Sequence, residues 1–236
     1  MLFRSFKQLL AGRDFAIYDQ AASQMENFVY LVGDSHKKEC AVIDAAWDID
    51  GIIAIANNDG MKITHALATH YHPDHVGGSI FGHNIQGLAS LITKNPCFIH
   101  AHSLEKSGLI KVTSLSNNDI LSHNSGDILK IGDIEITMLH TPGHTPGSLC
   151  FKVKNMLLSG DTLFLNGCGR VDLPGGNVEQ MYETIHQKLS KLADDIIIFP
   201  GHAYGGEYES FGQLKQHNPI FKYFDKKSFM RFFTRA

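Results

Sequence analysis

Short apolar runs of strand length alternate along this chain with stretches of helical spacing. Residues 27–32 and 40–44 are two such runs, and Gly33-Asp34-Ser35-His36-Lys37-Lys38 between them predicts a β-hairpin. Asp48 reads as a helix N-cap, with residues 49–56 at helical spacing until Asn57-Asn58-Asp59-Gly60 stops them. Residues 62–69 form the next strand and deliver a polar loop at its C-terminal end. Residues 77–92 read as loop and then helix, 97–100 as a strand, and Ser103-Leu104-Glu105 as the start of a helix. Gly132-Asp133 separates 128–131 from 134–139, and Lys154-Asn155 separates 149–153 from 156–159, so two further hairpins are expected. Residues 177–192 predict one amphipathic helix, with Met181, Ile185, Leu189 and Leu192 on one face. Residues 196–200 read as a buried strand.

Strands and a helix are thus followed by strands and a helix again. That order predicts a mixed α/β fold of two halves, roughly 1–125 and 126–220, with sheets packed together and helices outside. No Pro/Gly/Ser-rich linker divides them, so residues 1–236 read as one domain ending in a short aromatic and basic tail, 221–236.

Composition narrows the partners. At 236 residues and 43% apolar content, the chain can bury a sizeable core. A net charge of −3 supplies no basic face for nucleic acid, and no apolar run approaches the ~18 residues of a membrane span. Residues 1–7 carry neither a long apolar stretch nor a small-residue cleavage site, so no secretion signal is expected. Cys40, Cys97, Cys150 and Cys168 are widely spaced and form no C-x-x-C pair, which fits a reducing cytoplasm better than disulfides or a zinc knuckle.

The candidate chemistry is concentrated at His70-Tyr71-His72-Pro73-Asp74-His75. Packed together, these imidazoles would repel if charged and would need many partners if neutral, so a metal is the natural occupant. Four other segments end an apolar run with a metal-capable side chain: Asp44, His144 in Thr141-Pro142-Gly143-His144, Asp161 in Ser159-Gly160-Asp161, and His202 in Pro200-Gly201-His202. In the last three, a glycine precedes the candidate and lets the backbone turn sharply. Each alone is weak; their value is joint.

Taken in order, Asp44, His70 to His75, His144, Asp161 and His202 resemble the motifs of the metallo-β-lactamase superfamily. The resemblance spans about residues 27–204. Gly160-Asp161-Thr162-Leu163-Phe164 with Gly167-Cys168-Gly169-Arg170 is similar to its glyoxalase II and persulfide dioxygenase branch. The implied fold is a four-layer αβ/βα sandwich with metals at one edge. The resemblance implies that His70, His72 and His144 hold one ion, that Asp74, His75 and His202 hold a second, and that Asp161 bridges both. Asp74 and Asp161 are then the carboxylates at the reacting centre. Asp44 is not a ligand in the family and is expected to orient the His-rich loop from behind. The cofactor implied is two divalent ions, zinc foremost, with iron or manganese also suited to such ligands.

Two branches imply two reactions. The first is hydrolysis of a glutathione thioester such as S-D-lactoylglutathione, by water whose pKa falls from 15.7 towards roughly 7 on the ions. The second is oxidation of glutathione persulfide at one iron held by His70, His144 and Asp161. A non-catalytic metal-binding protein is the third reading. Only 34 residues follow His202, too few for the helical glutathione-binding region of longer glyoxalase II enzymes. The family's Lys-x-Tyr anchor falls on Arg170-Val171-Asp172, so Arg170 replaces the lysine and the tyrosine is missing. Tyr204 matches a family tyrosine near the thiol. The expected partners are a small-molecule thioester or glutathione-linked substrate and, as an open alternative, a second copy of the chain in a homodimer.

The pair His100 and His102 would share one strand face, but no carboxylate motif accompanies it. His65 reads as a core residue; His140 precedes the Thr141-Pro142 turn, a hydrogen bond near the metals being its minor alternative; and His83, His123, His186 and His217 have no evident partners. The tail is expected to pack on its own domain or on a second subunit and to border the substrate cleft.

Overall fold

The computed structural model describes residues 6–234. Residues 1–5 of the segment searched for a signal, and Arg235 of the tail, lie outside the described residues. In chain order, β1 (Phe6–Leu10) is followed by α1 (Gln20–Met25), β2 (Phe28–Asp34), β3 (Glu39–Ile43), α2 (Ile49–Asn58) and β4 (Lys62–Leu67). Then come the single-turn α3 (Pro73–Val76), β5 (Gly78–Ile80), β6 (His83–Ile85), α4 (Leu88–Lys94), β7 (Phe98–His102), α5 (Lys106–Val112) and β8 (Ile120–His123). The second half supplies β9 (Ile128–Ile131), β10 (Ile134–His140), β11 (Leu149–Val153), β12 (Met156–Gly160), α6 (Val178–Glu183), β13 (Ile197–Pro200), β14 (Glu209–Ser210), α7 (Phe211–His217) and α8 (Lys226–Thr234).

Two six-stranded sheets result, in the orders β1-β2-β3-β4-β7-β8 and β14-β13-β12-β11-β10-β9. Phe28, Tyr30, Val32, Ala41 and Ile43 face Ile136, Met138, Leu149, Phe151 and Leu158 between the sheets. The alternate residues Val29, Leu31, Cys40 and Val42 point outward, under Ile49, Ile52, Leu88, Leu91 and Leu109 of α2, α4 and α5. Both faces of β2 and β3 are therefore covered, which is why they read as unbroken apolar runs. On the far side, Cys150, Leu157 and Ile198 lie under Met181, Ile185, Phe211, Leu214 and Phe229. The layers are helix, sheet, sheet, helix: a four-layer αβ/βα sandwich.

The structure corrects two expectations and bears out a third, the packing of the tail on its own domain. Where a loop was expected after residue 77, β5 and β6 pair as a small hairpin, Gly78 opposite Ile85, turned by Phe81 and Gly82 at φ 49° and 83°. The helix expected over 177–192 is α-helical only through Glu183; it widens to π geometry over Thr184–Lys188 and closes as a 3₁₀ turn, Leu189–Lys191. Thr184 is fully buried there, and its hydroxyl donates to Pro142 O at 2.7 Å instead of projecting into solvent. Single-turn π-bulges inside α-helices are frequent at functional sites, and this one lies against the loop that carries His144. The tail, finally, packs against α6: Phe229 is fully buried beside Tyr182, and the Tyr182 hydroxyl donates to Phe224 O at 2.8 Å.

Candidate metal centre

The C-terminal ends of β3, β4, β12 and β13, with the β10–β11 loop, open on one edge of the sandwich. Backbone hydrogen bonds hold these ends together: Leu149 N to Thr69 O at 2.8 Å, Gly201 N to Gly160 O at 2.9 Å, and Phe28 N to Gly201 O at 2.8 Å. The close approach needs glycine. A Cβ on Gly201 would stand 2.4 Å from Asp161 Oδ1, and one on Gly160, at φ 49°, would stand 2.7 Å from Thr69 Cβ.

Three groups of side chains converge there: His70, His72 and His144; His70, His75 and Asp161; and Asp74, His75 and His202. Within each, the ligand atoms lie within 4.8 Å of one another. His70 Nε2 and His144 Nε2 lie 3.0 and 2.9 Å from His72 Nδ1, and His75 Nε2 lies 3.2 Å from His202 Nε2. Asp161 reaches both sides, with Oδ1 3.3 Å from His75 Nε2 and Oδ2 3.5 Å from His202 Nε2 and 3.6 Å from His144 Nε2. All seven expected ligand residues are thus brought together.

The outward ring nitrogens fix the tautomers. His144 Nδ1 donates to Arg170 O at 2.7 Å, His202 Nδ1 to Met25 O at 2.6 Å, and His75 Nδ1 meets Asp44 Oδ2 at 3.0 Å. Each leaves Nε2 facing the centre, as metal-binding histidines do. Asp44, in the left-handed region at φ 57°, also accepts from Thr69 N and Thr69 Oγ1, both at 2.7 Å. It therefore anchors both His75 and the residue that precedes His70. Imidazole lone pairs crowded this closely, together with a buried Asp161 Oδ1 that has no hydrogen-bond partner, are the arrangement that divalent cations satisfy.

The two sides differ in charge. Burial and neighbouring imidazoles hold His70 well below its ordinary pKa, and burial with His144 brings His72 down to about 4. Burial opposes charge on His75 and His202 too, but there the carboxylates win. Asp74 and Asp161 hold His75 well above the ordinary value, and Asp161 chiefly raises His202 to about 9. Burial works against ionised Asp74 and Asp161, yet the same two imidazoles hold both carboxyls well below the usual range.

Three contributors carry no sequence signal as site residues. Asn27 Nδ2 donates to Asp74 Oδ2 at 3.0 Å, and Trp47 Nε1 donates to Asn27 Oδ1 at 3.0 Å. Glu105, fully buried, accepts from Tyr71 N at 2.8 Å and Gly147 N at 2.7 Å. It ties the loop carrying His70 and His72 to the loop carrying His144.

The centre forms the floor of a cavity of about 550 Å³ lined by His72, Asp74, His144, Asp161 and His202 and walled by Tyr71, Ile80, Phe81, Phe164, Leu173 and Pro174. Arg170 and Tyr204 both line it. Tyr204 stacks on His202, ring centroids 4.6 Å apart. Arg170 is paired side-on with Asp172 at 2.9 and 2.7 Å. A larger, shallower groove of about 1190 Å³ between residues 14–24 and α2 includes no ligand cluster.

The residues set aside stay apart from the centre. His100 Nδ1 meets His123 Nε2 at 2.8 Å, and His65 stacks on His100. His102 stacks on His140, whose Nε2 donates to Pro146 O at 2.8 Å. His83 and His217 meet Asp19 and Glu209. No tail residue lines the cavity among the described residues, which overturns the expectation that the tail borders the cleft. No helix among the described residues is long and apolar enough to cross a membrane.

Comparison with known proteins agrees with this geometry. The family model of the metallo-beta-lactamase superfamily matches residues 24–202. The chain is 33% identical over 193 residues to the hydroxyacylglutathione hydrolase GloC of Haemophilus influenzae, covering 78% of this chain and 88% of that one. It is 27% identical over 210 residues to the probable polyketide biosynthesis zinc-dependent hydrolase PksB of Bacillus subtilis, covering 89% and 88%. The crystal structure of ETHE1 from Myxococcus xanthus superposes with a TM-score of 0.78 at 25% identity, over 97% of this chain and 89% of that chain. The clustered His and Asp ligands support a metal-dependent hydrolase with a two-metal centre. On the family model and the shared architecture together, the chain belongs to the metallo-β-lactamase superfamily.

Proposed function

We propose that the protein is a glyoxalase II-like thioesterase that hydrolyses hydroxyacylglutathione-type thioesters. The observation that carries this reading is a set of seven convergent ligand residues, five of which line the floor of a largely apolar cavity open to a small molecule. His70, His72 and His144 would hold one ion and Asp74, His75 and His202 the other, with Asp161 placed to serve both. When bound, two such ions make water nucleophilic at neutral pH and polarise a carbonyl. The chain's own residues do the rest. Asp44, Met25 O and Arg170 O hold the imidazoles in the tautomer that faces the centre. Asn27 donates to Asp74 Oδ2, the oxygen that also faces His75 and His202, and so orients that carboxylate toward the centre. Tyr71, Phe164, Leu173 and Pro174 keep bulk water from the thioester, and Tyr204 lies beside His202 where the thiol would leave.

Ligands come from both halves, so the two act as one catalytic domain. Likeness to GloC favours glutathione as the carrier. A second reading is a one-iron dioxygenase. Likeness to the ETHE1 structure favours it, the human protein of that name being a persulfide dioxygenase. Elemental analysis of the purified protein, with S-D-lactoylglutathione and glutathione persulfide assayed on the same sample, separates them. Two ions per chain and thioester hydrolysis are expected. One iron with persulfide-dependent oxygen uptake would replace the first reading by the second.

A further inference from the structure

Two cationic side chains line the cavity outside the ligand cluster, Lys111 and Arg170, and they are not equivalent. Asp172 holds both Arg170 Nε and Nη2, so the guanidinium arrives at the rim with its charge matched and its fork engaged. Lys111, in the last turn of α5, has no ion pair or hydrogen bond from its ammonium among the described residues. It stands beside Val112, whose carbonyl oxygen is 2.6 Å from the position of a Cβ on Gly78, so the β5–β6 hairpin and Lys111 share one wall. That wall is otherwise apolar, with Ile80 and a fully exposed Phe81 on the hairpin. Among the described residues no carboxylate other than Asp74 and Asp161 lines the cavity, and both of those face the imidazoles. The mouth therefore carries, among the described residues, one positive charge without an internal partner, exposed beside an apolar surface.

We propose that Lys111 selects substrates bearing a carboxylate remote from the reacting carbonyl, and that Arg170 contributes less to this selection. The inference rests on the thioesterase reading for its substrate and gives that substrate an anionic end. A carboxylate near Lys111 exchanges water for a charge-assisted hydrogen bond without first breaking an internal ion pair. One near Arg170 must compete with Asp172.

The test compares wild type with Lys111→Met and Lys111→Arg on two thioesters of one acyl group. S-D-lactoylglutathione carries remote carboxylates; the lactoyl thioester of N-acetylcysteamine carries none. K111M is expected to raise KM for the glutathione thioester about three- to tenfold, with kcat unchanged and the neutral thioester unaffected. K111R should restore KM. Raised ionic strength should weaken the wild type and leave K111M unmoved. Calorimetric titration of the metal-loaded proteins with S-methylglutathione reads the same contact without turnover. Equal dissociation constants in wild type and K111M, or no binding by wild type, would overturn the proposal. Failure to hydrolyse either thioester would overturn the thioesterase reading alone, since the titration still decides the role of Lys111.

Discussion

At the scale of single residues, the centre is an electrostatic bargain between two kinds of histidine. His70, buried, and His72, half-buried, lie beside other imidazoles and are held neutral. His75 and His202 face Asp74 and Asp161 and are held cationic near neutral pH. A cation can enter the second side only when those two protons leave. Metal uptake at pH 7 is therefore expected to release protons, and affinity for the second ion should rise with pH from neutrality through about 9, where His202 titrates. Calorimetry in buffers of different ionisation heat checks this. A proton count of zero at pH 7 would contradict it. The sign for stability runs the other way. A histidine whose folded pKa of about 9 exceeds its unfolded value of 6.5 contributes stability in full below pH 6.5. The chelator-treated protein should lose that contribution as pH rises from 6.5 towards 9, seen as a falling denaturant midpoint.

Elements place these residues, and the strongest single tie between elements is Glu105. It sits between β7 and α5 and accepts from Tyr71 N and Gly147 N with separate oxygens. Burial raises its pKa, so its two backbone donors are what make a carboxylate tolerable there. Glu105→Gln keeps the size but turns an NH₂ group towards one of those N–H groups. A loss of about 1–3 kcal/mol in urea unfolding is expected, with weaker metal binding by competition against a chelator. A midpoint equal to wild type would remove Glu105 from the scaffold.

Sequence pattern reached the hairpins of β2–β3, β9–β10 and β11–β12 because their apolar runs flank short polar turns. It missed β1 and β8, which are sheet edges; β8 leaves Leu121 and Ser122 exposed and has little apolar contrast. The seven ligands were legible because three loops repeat Gly before the ligand and four ligands lie within six residues. Asn27, Trp47 and Glu105 were not, because an amide, an indole and a carboxylate look the same in sequence whether they support a site or a surface.

At the scale of the whole molecule, the question is what the C-terminal helix supports. α8 buries Phe229 against Tyr182 and His186, with ring centroids 5.5 Å apart in both contacts. The segment it covers lies directly behind the His144 loop. A Cβ on Gly143 would stand 2.6 Å from Met181 Cα, Asn177 N donates to Gly143 O at 2.8 Å, and Thr184 Oγ1 donates to Pro142 O. The path runs from α8 to α6, from α6 to the loop, and from the loop to the candidate ligand His144, and it reaches the cavity only at that last residue. Two accounts of the tail therefore separate cleanly. If α8 is a buttress, Phe229→Ala leaves a cavity in the outer core and costs about 3–5 kcal/mol of stability. KM at a temperature well below unfolding should then stay within about twofold of wild type, because no residue of α8 lines the substrate cavity. If α8 instead shaped the cleft, KM would rise while the denaturant midpoint held. Measuring both on one variant decides between them, and the buried position of Phe229, outside the cavity lining, predicts the first pattern.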